Sequence, residues 1–401
     1  MEAVAAGASE KVYFNPFDAA FRANPYPSYA ALRSKPPRTL KLFMPIVMVS
    51  RYADVVAVLQ DQRFSADPKA LLVNEGYEHV HGMLTALLVD PPIHTRIRRA
   101  VSRDFTPKRI QELEPRIREI TRRLLDRIER QGTFDVIADL ADPLPTIVLS
   151  ELFGVPGDDY PRFKAWSDLI TASVHIMPGL PLPEPISVAF TELRAYFSEL
   201  AERKRRKPQG DLLSALVMQE DAERLTSEEL LDFVIMQLLA GTDTTTNTMG
   251  NGFLALMRHR DQLELLRREP ALVTKAVEEM LRYDGPIQAN ARFAKEDVEV
   301  GGTLIRKGSI AFVIFASANR DPAQFPDPEK FDITRWPNPH MGFGAGIHVC
   351  LGAALARLEN AVVFDETLKR FPRLRLPEPE PKLEYGEFYF LRGLTSLPLE
   401  F

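Results

Sequence analysis

The sequence predicts a mainly α fold with small β-sheets. Two observations carry that expectation. Apolar residues recur at three- and four-residue spacing over long stretches, the period of a helix with one buried face. Runs with strand character are few and short. In chain order, the helical period fills 110–130, 187–206, 230–257 and 351–371. Strand-like runs occupy 40–49, Val298–Val300 with Thr303–Ile305, 310–315 and the tail 388–398. Two proline-rich stretches interrupt the pattern. The segment 177–185 reads MPGLPLPEP and is apolar, so it suits a loop covering a pocket better than a solvated linker. The segment 321–343 mixes Pro, Asp and aromatic residues and is read as irregular but packed. A single domain over 1–401 is expected.

Composition excludes several functions. The chain has 401 residues, of which 45% are hydrophobic, enough for a large core. Its net charge of −5 lacks the basic surface that nucleic acid requires. One cysteine cannot form an internal disulfide, which fits a reducing cytoplasm. No uncharged run approaches the roughly 20 apolar residues that a spanning helix needs, so no membrane association is expected.

The central helix opens on a capping box, Thr226 followed by Glu229. Its period continues to about His259, giving a helix of roughly 50 Å. Its middle reads Leu239-Ala240-Gly241-Thr242-Asp243-Thr244-Thr245-Thr246. Gly costs about 1 kcal/mol against Ala in a helix, and a run of Thr is only slightly better. Such a weak spot marks either a functional site or a tolerated kink.

The lone cysteine lies in Phe343-Gly344-Ala345-Gly346-Ile347-His348-Val349-Cys350-Leu351-Gly352, just before a periodic helix. Glycines permit tight turns and close backbone approach. A helix N-terminus favours an anionic sulfur. A thiolate so placed could bind iron or act as a nucleophile, and a lone Cys is also a common small core residue.

Phe-Gly-x-Gly-x-His-x-Cys-x-Gly resembles the haem-binding loop of the cytochrome P450 family. Further segments match that family in order, so the resemblance covers nearly the whole chain. It implies the family's triangular-prism fold, with the long helix over the haem. It implies haem b as cofactor, O2 as co-substrate, and Cys350 as the metal ligand to the haem iron, with Phe343, Gly344 and Gly352 around the sulfur. The segment 90–99, DPPIHTRIRR, resembles the haem-facing helix. There His94 and Arg98, with Arg292 and His348, would bind propionates through charge-assisted bonds. Arg96 and Arg99 are read as solvated or as part of a docking face. Ala240, Gly241, Asp243 and Thr244 resemble the oxygen groove, where Thr244 would hydrogen-bond dioxygen and Asp243 would relay protons as catalytic residues. Thr245 and Thr246 are read as packing or back-bonding residues, and nothing is inferred from Thr242. Glu279 and Arg282, with Arg335, resemble a structural brace for the cysteine loop.

By the same layout, the substrate pocket would draw on 71–89, 177–182, Met236, Leu239, Ala240, Ile287, Gln288, Phe390 and Leu391. Most are apolar, which predicts a small apolar substrate, with Gln288 as a polar handle. The basic run 203–207 suits a solvated helix end. His79 and His81 lack a third ligand at credible spacing, and no dinucleotide glycine fingerprint occurs.

The function expected is a haem-thiolate monooxygenase acting as a monomer. It would insert one oxygen atom by hydroxylation or epoxidation, with electrons from a ferredoxin or flavodoxin and its reductase. A peroxide-using or phenol-coupling haem enzyme, and a non-catalytic haem-binding protein, are the alternatives.

Overall fold

The computed structural model describes residues 12–41, 45–67, 87–173, 176, 181–219, 225–388 and 390–401. Eleven helices frame the account: α1 Tyr26–Arg33, α2 Tyr52–Gln60, α3 Ile93–Ser102, α4 Glu114–Gln131, α5 Pro143–Leu152, α6 Tyr160–Ala172, α7 Glu184–Arg206, α8 Ser227–Gly241, α9 Asp243–Arg258, α10 Val273–Asp284 and α11 Ala353–Arg370. Among the described residues, no helix is long and apolar enough to cross a membrane.

The largest core gathers the inward faces of α3 to α11. Phe253 of α9 and Phe364 of α11 stack with centroids 4.5 Å apart. Burying each such side chain contributes roughly 1.5–3 kcal/mol. Gly252 permits this approach, since a Cβ there would lie 2.7 Å from the Phe364 ring. A six-residue π-helix, Val136–Ala141, packs on α9, and Gly250 makes room for Ile137 in the same way.

The main sheet has five strands. They are β1 Arg38–Lys41, β2 Pro45–Val49, β3 Phe64–Ser65, β5 Asn290–Ala294 and β8 Ile310–Val313, in the order β1-β2-β8-β5-β3. β2 and β8 are parallel, pairing Ile46 with Ile310, and the other pairs are antiparallel. Two small pairs complete the β structure: β4 Phe134–Asp135 with β9 Pro398–Leu399, and β6 Val298–Val300 with β7 Thr303–Ile305.

Three expectations need correction. The run 40–49 is not one strand. It contributes to two antiparallel strands, β1 and β2, the second starting at Pro45, a position where proline removes no interior ladder bond. The tail 388–398 forms isolated bridges at Leu391 and Leu394 and only the short β9, and Gly393 lies so close to Asn247 that a Cβ there would meet its side chain. The stretch 110–130 splits into Pro107–Gln111 and α4, with Pro115 in the first turn of the second piece.

Candidate active site

The glycines decide the shape of the cysteine loop. Gly344 and Gly346 have φ of 69° and 74°, a region that side chains disfavour. A Cβ on Gly346 would also fall 2.3 Å from the Leu59 carbonyl oxygen of α2. The loop turns back so that the Cys350 N–H donates to Phe343 O at 2.9 Å. Gly352 then caps α11. Cys350 is exposed to solvent at the start of α11. Burial pushes its thiol pKa up, while the Gly352 N–H and the cations Arg98 and Arg357 pull it down.

Beside this loop, α3 presents two of the expected residues one turn apart. His94 is 4% exposed, its ring lies 4.4 Å from that of His348, and its Nε2 is buried without a hydrogen-bond partner. Burial and the nearby Arg98 lower its pKa. Arg98 donates to Val349 O at 2.7 Å, which ties α3 to the cysteine loop. Arg292, on β5, is 6% exposed and donates to its neighbour Ala291 O at 2.8 Å. Burial drags its pKa down to about 10. Neither arginine has a carboxylate partner at ion-pair distance among the described residues. A buried cation without an acid is costly unless an anion completes it. A buried arginine, a half-buried arginine tied to the cysteine loop and an orphan imidazole nitrogen fit a haem with its two carboxylates.

The central helix departs from expectation. It is not one rod but two helices, α8 and α9, divided at Thr242. The cause lies in the threonines. Thr242 Oγ1 donates to Leu238 O at 2.7 Å and Thr244 Oγ1 to Ala240 O at 2.7 Å, placing hydroxyls on carbonyls that the helix ladder normally occupies. Thr242, from which nothing was inferred, is thus the hinge residue, and its hydroxyl lies 3.4 Å from that of Thr171 on α6. Thr246 fixes the break from the other side by donating to Ala141 O at the end of the π-helix. Ala240 is exposed although the residues before it are mostly buried, so the end of α8 is accessible at the break.

Asp243 sits at the first turn of α9. Burial pushes its pKa up to about 6, and the carboxylates of Asp142 and Asp168 push the same way. Lys164 opposes them, lying 3.1 Å from Asp142 and paired with Asp168. None of these three was legible as site residues, because they lie on other elements with ordinary surface spacing.

The structural brace has the expected members. Glu279 and Arg282 are fully buried and joined by a two-pronged bond of 2.8 Å on each arm. Arg335 reaches Glu279 at 3.2 Å, and Asn338 donates to it at 3.1 Å. Arg282 also caps the carbonyls of Asn319, Pro328 and Lys330, which holds the irregular stretch in place. Arg96 is not free: it pairs with Glu229 of the capping box, linking α3 to α8.

The pocket residues divide. Met236 and Leu239 are buried on α8. Ile287 bridges to Leu391, and Phe390 packs on Phe312 at 5.4 Å. Gln288 departs from the role of polar handle. Its carbonyl accepts from Tyr29 at 2.9 Å and its amide donates to Gly285 O at 2.9 Å, so both ends are used inside the protein. The stretches 71–86 and 177–180, with His79 and His81, lie outside the described residues.

This architecture is shared with known proteins. The vitamin D(3) 25-hydroxylase of Pseudonocardia autotrophica is 41% identical over 391 residues, 96% of this chain and 95% of the relative. The 6-deoxyerythronolide B hydroxylase of Saccharopolyspora erythraea is 37% identical, covering 94% of this chain and 96% of the relative. The solved structure of the Bacillus subtilis polyketide synthase cytochrome P450 PksS superposes with a TM-score of 0.87 at 36% identity, covering 96% of this chain and 99% of that one. The family model described as Cytochrome P450 matches residues 14–398. This chain belongs to the cytochrome P450 family and is a monooxygenase of that family.

Proposed function

We propose that Cys350 binds the iron of haem b as a thiolate, and that the enzyme inserts one oxygen atom of O2 into a small apolar substrate. The observation that carries this reading is a set of groups without acids: Arg98 tied to the cysteine loop, Arg292 buried on β5, and His94 with an orphan nitrogen beside His348. When bound, the haem would supply iron chemistry for oxygen activation, to which a thiolate ligand would add electron density.

The chain's own residues divide the remaining work. His94, Arg98, Arg292 and His348 anchor the two propionates. Phe343, Gly344 and Gly352 would enclose the sulfur, and Ala240 and Gly241 would line the oxygen groove. Thr244 spends its proton on Ala240 O, which leaves its oxygen lone pairs to accept from a donor. Asp243, with a pKa near 6, holds a proton where a dry pocket offers few. Asp142 and Lys164, partly exposed, act on that carboxyl through their charges. Met236, Leu239, Ile287, Phe390 and Leu391 give the substrate an apolar surface, which agrees with relatives named for vitamin D(3) and 6-deoxyerythronolide B. Electrons come from a ferredoxin or flavodoxin with its reductase.

The direct test is Cys350→Ser. The reduced wild-type protein should give the carbon monoxide difference band characteristic of a thiolate-bound haem, and the variant should lose it. An unchanged band in the variant refutes the ligand assignment.

A further inference from the structure

Asp284 is the last residue of α10, where a carboxylate opposes the helix dipole. Its side chain is nevertheless only 13% exposed. Two groups from opposite ends of the chain hold it there. Arg392 Nε donates to Asp284 Oδ1 at 2.6 Å, and the Tyr26 hydroxyl, at the start of α1, donates to the same oxygen. The Arg392 side chain is itself 7% exposed. Its other nitrogens donate to the carbonyls of Arg22 and Ala23, just before α1. Its guanidinium lies 3.9 Å from the Tyr385 ring centroid, a cation–π distance. Tyr26 is covered in turn by Arg320, whose guanidinium lies 3.4 Å from the Tyr26 centroid and donates to Tyr283 O on α10.

This cluster sits at the root of a loop. Tyr385 bridges to Leu394, and the Gly386 N–H donates to Gly393 O at 3.0 Å, which closes the loop. Phe390 and Leu391 lie inside it, immediately before Arg392. Two backbone bonds tie them to the segment after α10: the Gln288 N–H donates to Phe390 O at 3.0 Å, and the Arg392 N–H donates to Pro286 O at 2.7 Å. Asn251 of α9 donates to Arg392 O at 3.0 Å. The arginine thus joins the entry to α1, the end of α10 and the middle of α9 to the two apolar residues that precede it. A guanidinium is a rigid fork of directed donors, so it fixes position as well as charge. A lysine there would neutralise Asp284 without holding the acid and two carbonyls at once.

We propose that Arg392 is a positioning residue for substrate selection: through Asp284, Tyr26 and the carbonyls of Arg22 and Ala23 it fixes Phe390 and Leu391, and so fixes the apolar wall that a bulky substrate meets. This rests on Phe390 and Leu391 lining the substrate pocket. Arg392 itself has no part in the chemistry, since its donors are spent inside the protein.

The test titrates two iron-binding azoles into the haem-loaded enzyme and follows the red shift of its Soret band. Imidazole needs little beyond the iron's open position, whereas clotrimazole carries a bulky triaryl group that needs the pocket wall. Arg392→Lys keeps the charge but not the fork. Tyr26→Phe removes one donor to Asp284 and keeps the ring under Arg320. Each should weaken clotrimazole binding, Arg392→Lys by about tenfold, the scale of one displaced apolar side chain, and leave imidazole within about twofold of wild type. Amide hydrogen exchange at 390–394 should quicken in Arg392→Lys, while exchange at 343–350 keeps its wild-type rate. Clotrimazole affinity that does not fall, or that falls only in step with imidazole, overturns the proposal. If Arg392→Lys does not take up haem, Tyr26→Phe decides by the same comparison. Phe390→Ala, run alongside, checks the pocket reading itself: it should weaken clotrimazole and spare imidazole. If it spares both, the pocket assignment fails, and the selecting role of Arg392 with it.

Discussion

Asp243 and Thr244 are neighbours with different kinds of constraint. Asp243 is governed by burial and by two acids, which raise its pKa from 3.8 to about 6. Folding therefore favours its protonated form. Its contribution to stability is full below pH 4 and is lost as pH climbs through about 6. Asp243→Asn, which mimics the neutral state, should leave stability unchanged near pH 4 and raise it near pH 7, by up to about 3 kcal/mol. Urea unfolding at the two pH values measures this, and equal effects at both would contradict the burial argument. Thr244 is governed by a local bond to Ala240 O. Thr244→Ala should bind haem normally but divert electrons to peroxide, seen as less product per reduced nicotinamide consumed. Both residues were legible in the sequence from a motif. What tunes Asp243 was not, because Asp142, Lys164 and Asp168 come from elsewhere in the chain and carry no pattern of their own.

At the level of elements, hydrogen bonds that leave the regular ladder do the positioning. The periodic pattern located α8 and α9 but ran through the break, since apolar spacing is blind to a hydroxyl that takes a carbonyl from the backbone. The Gly–Thr composition did mark the place, and Thr242 supplies the cause. The brace shows the opposite case. Glu279 and Arg282 sit one turn apart on a single helix, so their pairing was readable, whereas Asn338 and the three carbonyls capped by Arg282 were not. Glu279→Ala would strand the buried guanidinium of Arg282 and deprive the half-buried Arg335 of its acid. Losing one partner of a buried ion pair costs roughly 3–5 kcal/mol, so this variant should melt well below wild type and fail to retain haem. Wild-type thermal stability would contradict the brace.

Across the whole molecule, the site is assembled from three distant parts of the chain: 94–98 on α3, Arg292 on β5 and 343–352 before α11. Helices were legible because each repeats its own period. The sheet was not, because β2 pairs with β8 across more than 250 residues and nothing local announces it. That pairing, with β5 alongside, sets Arg292 into its buried position. A group bridging these parts should stabilise all of them together. Arg98→Ala should therefore retain haem poorly on dialysis, while full occupancy would count against a propionate contact. Gln288 marks the limit of reading a pocket by position alone: its neighbours in space, Tyr29 and Gly285, had already claimed it.

The central claim is a bond between the Cys350 sulfur and the haem iron, and X-ray absorption at the iron edge reads it most directly. The haem-loaded wild type should show one sulfur among the iron's nearest neighbours, absent in Cys350→Ser. A wild-type spectrum with only nitrogen or oxygen neighbours would contradict the account.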